Sequence, residues 1–233
     1  MTHSSISRRR LLAAVSGSAV ASVAGLALST GRGRAYTNTM PLQTETVEGL
    51  VVDWRETYNG TTLEDTTTTA MPAPSGPAIS LGNVLPGDAG SLSVRLRIET
   101  AGSGGDEAAA VEPRLSLSSD AESSPLLEFV DVTVFYDTGL LDIDALGSDN
   151  AERDPGEGLV HPGASGTFAE VADALEEGVT LDASPHTPGA DCLGSDGSVT
   201  VTFGWSFPPD QVGINDAQGE TIEFDLEFDV AQC

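Results

Sequence analysis

Along most of this chain apolar side chains fall on every second residue, and that spacing selects strands. In "TIEFDLEFDVAQC" (Thr221 to Cys233), Ile222, Phe224, Leu226, Phe228 and Val230 alternate with Glu223, Asp225, Glu227 and Asp229. A helix would scatter these residues around its axis, whereas a strand puts each set on one face. The same period places Leu50, Val52 and Trp54 together, then Leu92, Val94, Leu96 and Ile98, then Val199, Val201, Phe203, Trp205 and Phe207. "PRLSLSS" reads as a short strand. In "EFVDVTVFYD" (Glu128 to Asp137), Val130, Val132, Val134 and Tyr136 oppose Phe129 and Phe135, so both faces are apolar and the strand belongs inside a sheet.

Helical spacing occurs once, in "TFAEVADALEEG", where Phe168, Val171, Ala172 and Leu175 form one stripe between an N-cap at Thr167 and a stop at Gly178. Turn signals such as Pro86-Gly87-Asp88 separate the strands, and the Thr- and Pro-rich stretch from Thr61 to Ala78 reads as loop. The expected class is all-β: an antiparallel jelly-roll-like β-sandwich with one short helix, preceded by an export signal. The expected organisation is a signal over residues 1–35, an N-terminal segment over 36–47, and the sandwich over 48–233.

Charge constrains the surroundings. The chain has 36 acidic residues and 10 arginines, with no lysine, and five of the arginines lie in the first 35 residues. Beyond residue 35 the balance is 36 acids against five bases, or −31. Such charge also marks disordered chains, but 39% of the residues are hydrophobic and they are set in alternating runs. The reading is therefore a solvated acidic skin over an ordinary core. Self-repulsion in that skin is screened in brine, where the Debye length is about 3 Å at 1 M salt. Acid surplus without lysine points to a salt-in halophile, and it excludes nucleic acid as a partner.

Residues 1–35 have the three parts of an export signal: a basic cluster, an uncharged span from Leu11 to Leu28, and small residues. Ser7-Arg8-Arg9-Arg10-Leu11-Leu12 resembles the twin-arginine signature, with Arg8 and Arg9 as its pair. Cleavage is expected near Ala35 and Tyr36, and a retained anchor is the alternative. The expected location is extracellular or on the cell surface, with the twin-arginine machinery and a signal peptidase as export partners.

Cys192 and Cys233 are the two cysteines. In an oxidising exterior they are expected to pair. The bridge closes 41 residue steps and contributes about 4 kcal/mol by chain entropy. Two free thiols or an intermolecular bridge are the alternatives.

Catalytic motifs are sparse. HExxH and GxSxG are absent, and "GSGGDE" opens no phosphate loop; the chain is read as not an enzyme and as needing no cofactor. One loop region is dense in carboxylates, and Asp137, Asp142 and Asp144 in it are candidate Ca²⁺ ligands. It lacks an EF-hand frame, and halophilic solvation accounts for the same residues. Asn59-Gly60-Thr61 fits a glycosylation sequon at Asn59. Trp54 and Trp205 are candidates for a sugar platform, but each is in phase with its strand's apolar row, which favours the core.

Several fragments occur in a telling order: a signal ending just before an aromatic residue, "VVDWRETYNG", "ISLGNVLPGDAGSLSVRL", "FVDVTVFYD", "DCLGSDGSVTVTFGWSFP" and "FDLEFDVAQC". From about Ala35 to Cys233 this order resembles the secreted TasA/camelysin-like family, in particular its haloarchaeal members with SipW-cognate-type signals. The resemblance implies a jelly-roll subunit of an extracellular fibre, pilus or biofilm matrix. It also implies that an N-terminal segment of one copy, here Tyr36 to Val47, completes the sheet of the next and so builds a homo-polymer. The sequence departs from the family's pattern at "YTNTM" and at the Arg-Gly-Arg before it. The alternative function is a monomeric surface module for glycan or Ca²⁺.

Overall fold

The computed structural model describes residues 38–41, 50–63, 69–70, 77–98, 110–119, 124–138, 151–183, 191–194 and 197–233. In chain order its strands begin with β1 (Asn38–Pro41), β2 (Leu50–Tyr58), β3 (Thr61–Thr62), β4 (Thr69–Ala70), β5 (Pro77–Gly82) and β6 (Ala89–Ile98). Then come β7 (Val111–Ser119), β8 (Asp131–Tyr136), β9 (Ser165–Thr167), β10 (Val179–Thr180), β11 (Ser198–Ser206) and β12 (Thr221–Gln232). A single helical turn, α1 (Leu126–Phe129), precedes β8, and α2 (Phe168–Leu175) follows β9.

The strands form two sheets, antiparallel throughout. One runs β1-β2-β6-β11-β8-β9 with β3 folded onto β2, and the other runs β10-β7-β12-β5-β4. The expected all-β sandwich is the fold. Its core lies where the two apolar rows meet. Leu50, Val52 and Trp54 of β2, Leu92, Val94, Leu96 and Ile98 of β6, and Val199, Val201 and Phe203 of β11 face Leu115 and Leu117 of β7 and Ile222, Phe224, Leu226 and Phe228 of β12. Phe203 and Phe224, one from each sheet, have ring centroids 4.8 Å apart, and Phe168 of α2 packs edge-on against Phe224 at 5.0 Å. Aromatic contacts of this kind contribute beyond the area they bury.

The helix forms where its spacing placed it. Thr167 caps it: the Thr167 hydroxyl accepts the N–H of Glu170, and the Glu170 carboxylate accepts the N–H of Thr167. Gly178, at φ 77°, sits just past its end and donates its N–H to the Leu175 carbonyl.

Three local expectations change. Glu128 and Phe129 belong to the helical turn Leu126–Phe129 rather than to the start of a strand; Pro125 has no N–H for a ladder, and its φ of −55° suits a first helical turn. β8 itself is interior, between β11 and β9, with Val132 and Val134 in the core and Phe135 buried on the other face. The stretch read as loop between Thr61 and Ala78 contributes the two-residue strands β3 and β4 and the start of β5. "PRLSLSS" lies within the nine-residue β7.

Candidate functional site

Strand β1 carries little apolar pattern, and what positions it is the open side of β2. The register runs Asn38 opposite Trp54, Thr39 opposite Asp53, Met40 opposite Val52 and Pro41 opposite Val51. Further along, β3 pairs with Thr57 and Tyr58, and Leu63 donates its N–H to the Glu56 carbonyl at 2.9 Å. An edge strand's unpaired peptide groups recruit any strand that reaches them, and here the chain covers β2 with its own N-terminal segment. Of the expected donor segment 36–47, residues 38–41 are described and the others lie outside the described residues.

Behind this edge lies the face of the larger sheet that turns away from the core. Period 2 places Asp53 and Arg55 of β2, Ser93, Arg95 and Arg97 of β6, and Thr200 and Thr202 of β11 on that face. Asp53, Arg55, Ser93, Thr200 and Thr202 are nonetheless buried. Buried polar groups must find partners, and these do so across strands. Asp53 takes two guanidinium groups, Arg95 Nη2 at 2.9 Å and Arg97 Nε at 2.7 Å, both on Oδ2.

The second set is a relay. Arg55 Nη2 donates to Ser93 Oγ at 3.4 Å, Ser93 Oγ lies 2.8 Å from Thr202 Oγ1, and Thr202 Oγ1 lies 3.0 Å from Asp137 Oδ2. A hydroxyl has one proton to give, and an ionised carboxylate only accepts. Thr202 Oγ1 is the donor toward both Ser93 Oγ and Asp137 Oδ2, one proton shared between two acceptors, and it links a buried cation on β2 to a buried carboxylate just past β8. The N–H of Ala151 closes the end at 2.9 Å from Asp137 Oδ2.

All five arginines beyond residue 35 have acceptors inside their own chain. Besides Arg55, Arg95 and Arg97, Arg114 reaches the carbonyls of Glu177 and Gly178 just after α2, and Arg153 reaches the carbonyl of Glu157. Cations near a helix C-terminus oppose its dipole favourably. The scarce positive charge is spent on internal contacts, and among the described carboxylates all but Asp53, Glu56, Asp137 and Glu157 are left at least partly exposed.

Cys192 and Cys233 are bonded, with Cα atoms 6.3 Å apart. Val111, at the start of β7, exchanges two N–H···O bonds with Leu193 on one side, while Cys233 donates to the Ala110 carbonyl on the other. The bridge thus clasps both neighbours of β7 at one end of the sheet.

The remaining sites fall as follows. Asn59 is exposed at the β2–β3 turn, where its φ of 46° beside Gly60 at 73° suits the tight Asn-Gly hairpin. Its carboxamide is engaged: Nδ2 donates to Asp88 Oδ1 at 3.1 Å and Oδ1 accepts the Ala89 N–H at 2.9 Å. Asp88 also accepts from the Tyr58 hydroxyl and the Leu85 N–H. Trp54 and Trp205 are both core residues, at 4% and 7% exposure. Gly90 lies under Trp205; a Cβ there would come within 2.8 Å of the indole ring.

Asp137 is buried in the relay rather than displayed in an open loop, and Asp142 and Asp144 lie outside the described residues. Among the described residues no group of three or more His, Cys, Asp or Glu side chains is placed to hold a metal ion. Arg8, Arg9, Ala35 and Tyr36 lie outside the described residues, and no described helix is long and apolar enough to cross a membrane. Tyr136 faces the core, and its hydroxyl accepts the Asp182 N–H at 2.8 Å. Burial raises its pKa above the usual value near 10, and the Asp182 and Asp191 carboxylates push the same way, against the opposing effect of that N–H bond.

The relay and the Asp53 cluster escaped sequence reasoning. Their only signal was polar residues in strict antiphase to each core row. Set against protein-family models, curated proteins and solved structures, the chain finds no match.

Proposed function

We propose that this chain is a secreted structural protein, a non-enzymatic subunit of an extracellular fibre, pilus or biofilm matrix, in which copies are joined by exchange of the N-terminal strand. The observation that carries the reading is β1. It is four residues long, it is held to β2 through a backbone register, and residues 42–49 separate it in sequence from the strand it covers. A seat built from peptide groups accepts the same segment from another copy as readily as from its own. Each copy that gives its strand forward leaves its own seat for the next. Such a head-to-tail contact does not close, and contacts that do not close make filaments.

The arginines, each engaged by an acceptor in its own chain, and the −31 balance beyond residue 35 support an exterior that repels polyanions, so the partner is another copy and not nucleic acid. A residue 1–35 signal of twin-arginine type would deliver the chain to the cell surface or beyond, through the export machinery and a signal peptidase. No cofactor enters the reading; Ca²⁺ bound through Asp137, Asp142 and Asp144 would be a structural addition.

Negative-stain microscopy of the purified chain in high salt tests it. The full chain is expected to form filaments, and deletion of residues 36–47 is expected to leave folded single particles. Filaments that survive the deletion would defeat the proposal.

A further inference from the structure

One motif lies apart from the strand seat and the buried polar relay. Of the chain's five asparagines, only Asn59 stands two residues before a Ser or Thr, in Asn59-Gly60-Thr61. Such a triplet becomes a site only where the fold presents it. β2 and β3 pair Thr57 with Thr62 and Tyr58 with Thr61, which leaves Asn59 and Gly60 as the two-residue tip of a hairpin. Both take the left-handed conformation that this tip requires, and Asn59, Gly60 and Thr61 are all exposed. The space around Gly60 is open: among the described residues no atom lies within 4 Å of where a Cβ would stand.

The Asn59 carboxamide is oriented rather than used up. Its Oδ1 accepts the Ala89 N–H at 2.9 Å, and its Nδ2 donates one hydrogen to Asp88 Oδ1 at 3.1 Å. An amide nitrogen carries two hydrogens, and among the described residues no acceptor takes the second. An N-glycosidic bond replaces one of the two and keeps the other, so the Asp88 contact survives the modification. Asn83 is the contrast within the same chain: it is exposed and has a φ of 56°, but Val84 and Leu85 follow it. The tip is also remote from the strand seat. β1 ends opposite Trp54, and Tyr58 lies four residues further on, about 14 Å along a strand. A sugar chain at Asn59 therefore stands clear of an exchanged β1.

We propose that Asn59 is a modification site, the acceptor of an N-linked sugar chain transferred from a lipid-phosphate-linked sugar outside the cell membrane. The bond from Asn59 Nδ2 to the anomeric carbon forms as the bond from that carbon to the phosphate oxygen breaks. The lipid phosphate is the leaving group, and it takes with it the proton that the nitrogen gives up. The inference rests on the export that the proposed function includes, and not on strand exchange. A twin-arginine-type signal marks chains exported already folded, so the transferase meets Asn59 as the folded hairpin displays it.

Mass spectrometry of the full chain, recovered from outside the cells that make it, tests the inference. Cleavage after Glu56 and Glu64 releases residues 57–64, which contain Asn59. That peptide is expected to be heavier than its sequence by whole sugar residues, with fragment ions that place the mass on Asn59. The peptide that holds Asn83 is expected at its sequence mass. Thr61→Ala keeps Asn59 and its two partners but is expected to lose the sugar, whereas Thr61→Ser is expected to retain it. The Ala89 amide is expected to exchange equally slowly in the modified chain and in Thr61→Ala. An exported chain with unmodified Asn59, or with its sugar on Thr61 or Thr62 instead, would overturn the inference and leave strand exchange standing. Recovery of the chain only from inside the cell would overturn export, and with it both this inference and the secreted reading.

Discussion

Cys233 is bonded to Cys192 across the end of β7, so one covalent link holds the partners on both sides of that strand. The sulfur bridge lies at the margin of the sheet. The rows that bury Ile222 to Phe228 lie deeper in the core.

That placement predicts a loss of stability without loss of fold. Cys192→Ser is expected to lower unfolding free energy by about 2–4 kcal/mol, from the loop it opens, while the circular dichroism spectrum stays that of a β protein. Denaturant midpoints at fixed high salt measure the difference. Exchange of the Cys233 and Leu193 amides should quicken before that of β12's core.

The relay predicts that a methyl cannot replace a hydroxyl. Thr202→Val has nearly the same shape, but it strands Ser93 and Asp137 in a buried setting and is expected to cost about 1–3 kcal/mol. Thr202→Ser keeps the hydroxyl and should retain most of that stability. Equal midpoints for the Val and Ser variants would remove the relay from the account.

Tyr136 predicts an alkaline limit. Its folded-state pKa lies above the usual value near 10, chiefly because burial disfavours the phenolate. The unfolded chain therefore releases that proton first. The stability Tyr136 contributes is fully present below about pH 10 and is lost as pH rises through the raised value. Unfolding midpoints followed upward from pH 9 should fall, and Tyr136→Phe, which has no proton to lose, should flatten the fall.

Much of this architecture was legible because period 2 reports which residues share a face. Leu92 to Ile98 and Ile222 to Val230 could be placed on core rows from spacing alone, and the Thr167 cap and Gly178 stop fixed the helix. The limits have physical causes as well. Asp53, Arg55, Ser93 and Thr202 sit in antiphase to apolar rows and read as solvent-facing, yet they are buried, because pattern reports polarity and burial depends on what packs above. Glu56 is in phase with Leu50, Val52 and Trp54, and it is drawn inside at 7% exposure. β1 is defined by peptide N–H and C=O, which every residue carries and no side-chain period announces.

The central claim is that β1 of one copy seats on β2 of the next. Pro41 lies opposite Val51 in the register, so a Pro41→Cys, Val51→Cys double variant, oxidised after assembly in high salt, tests it most directly. The account predicts a non-reducing denaturing gel with a ladder of covalent multimers that collapses to one band on reduction. A single monomeric band, with the two introduced cysteines joined inside one chain in material that still forms filaments, would contradict it.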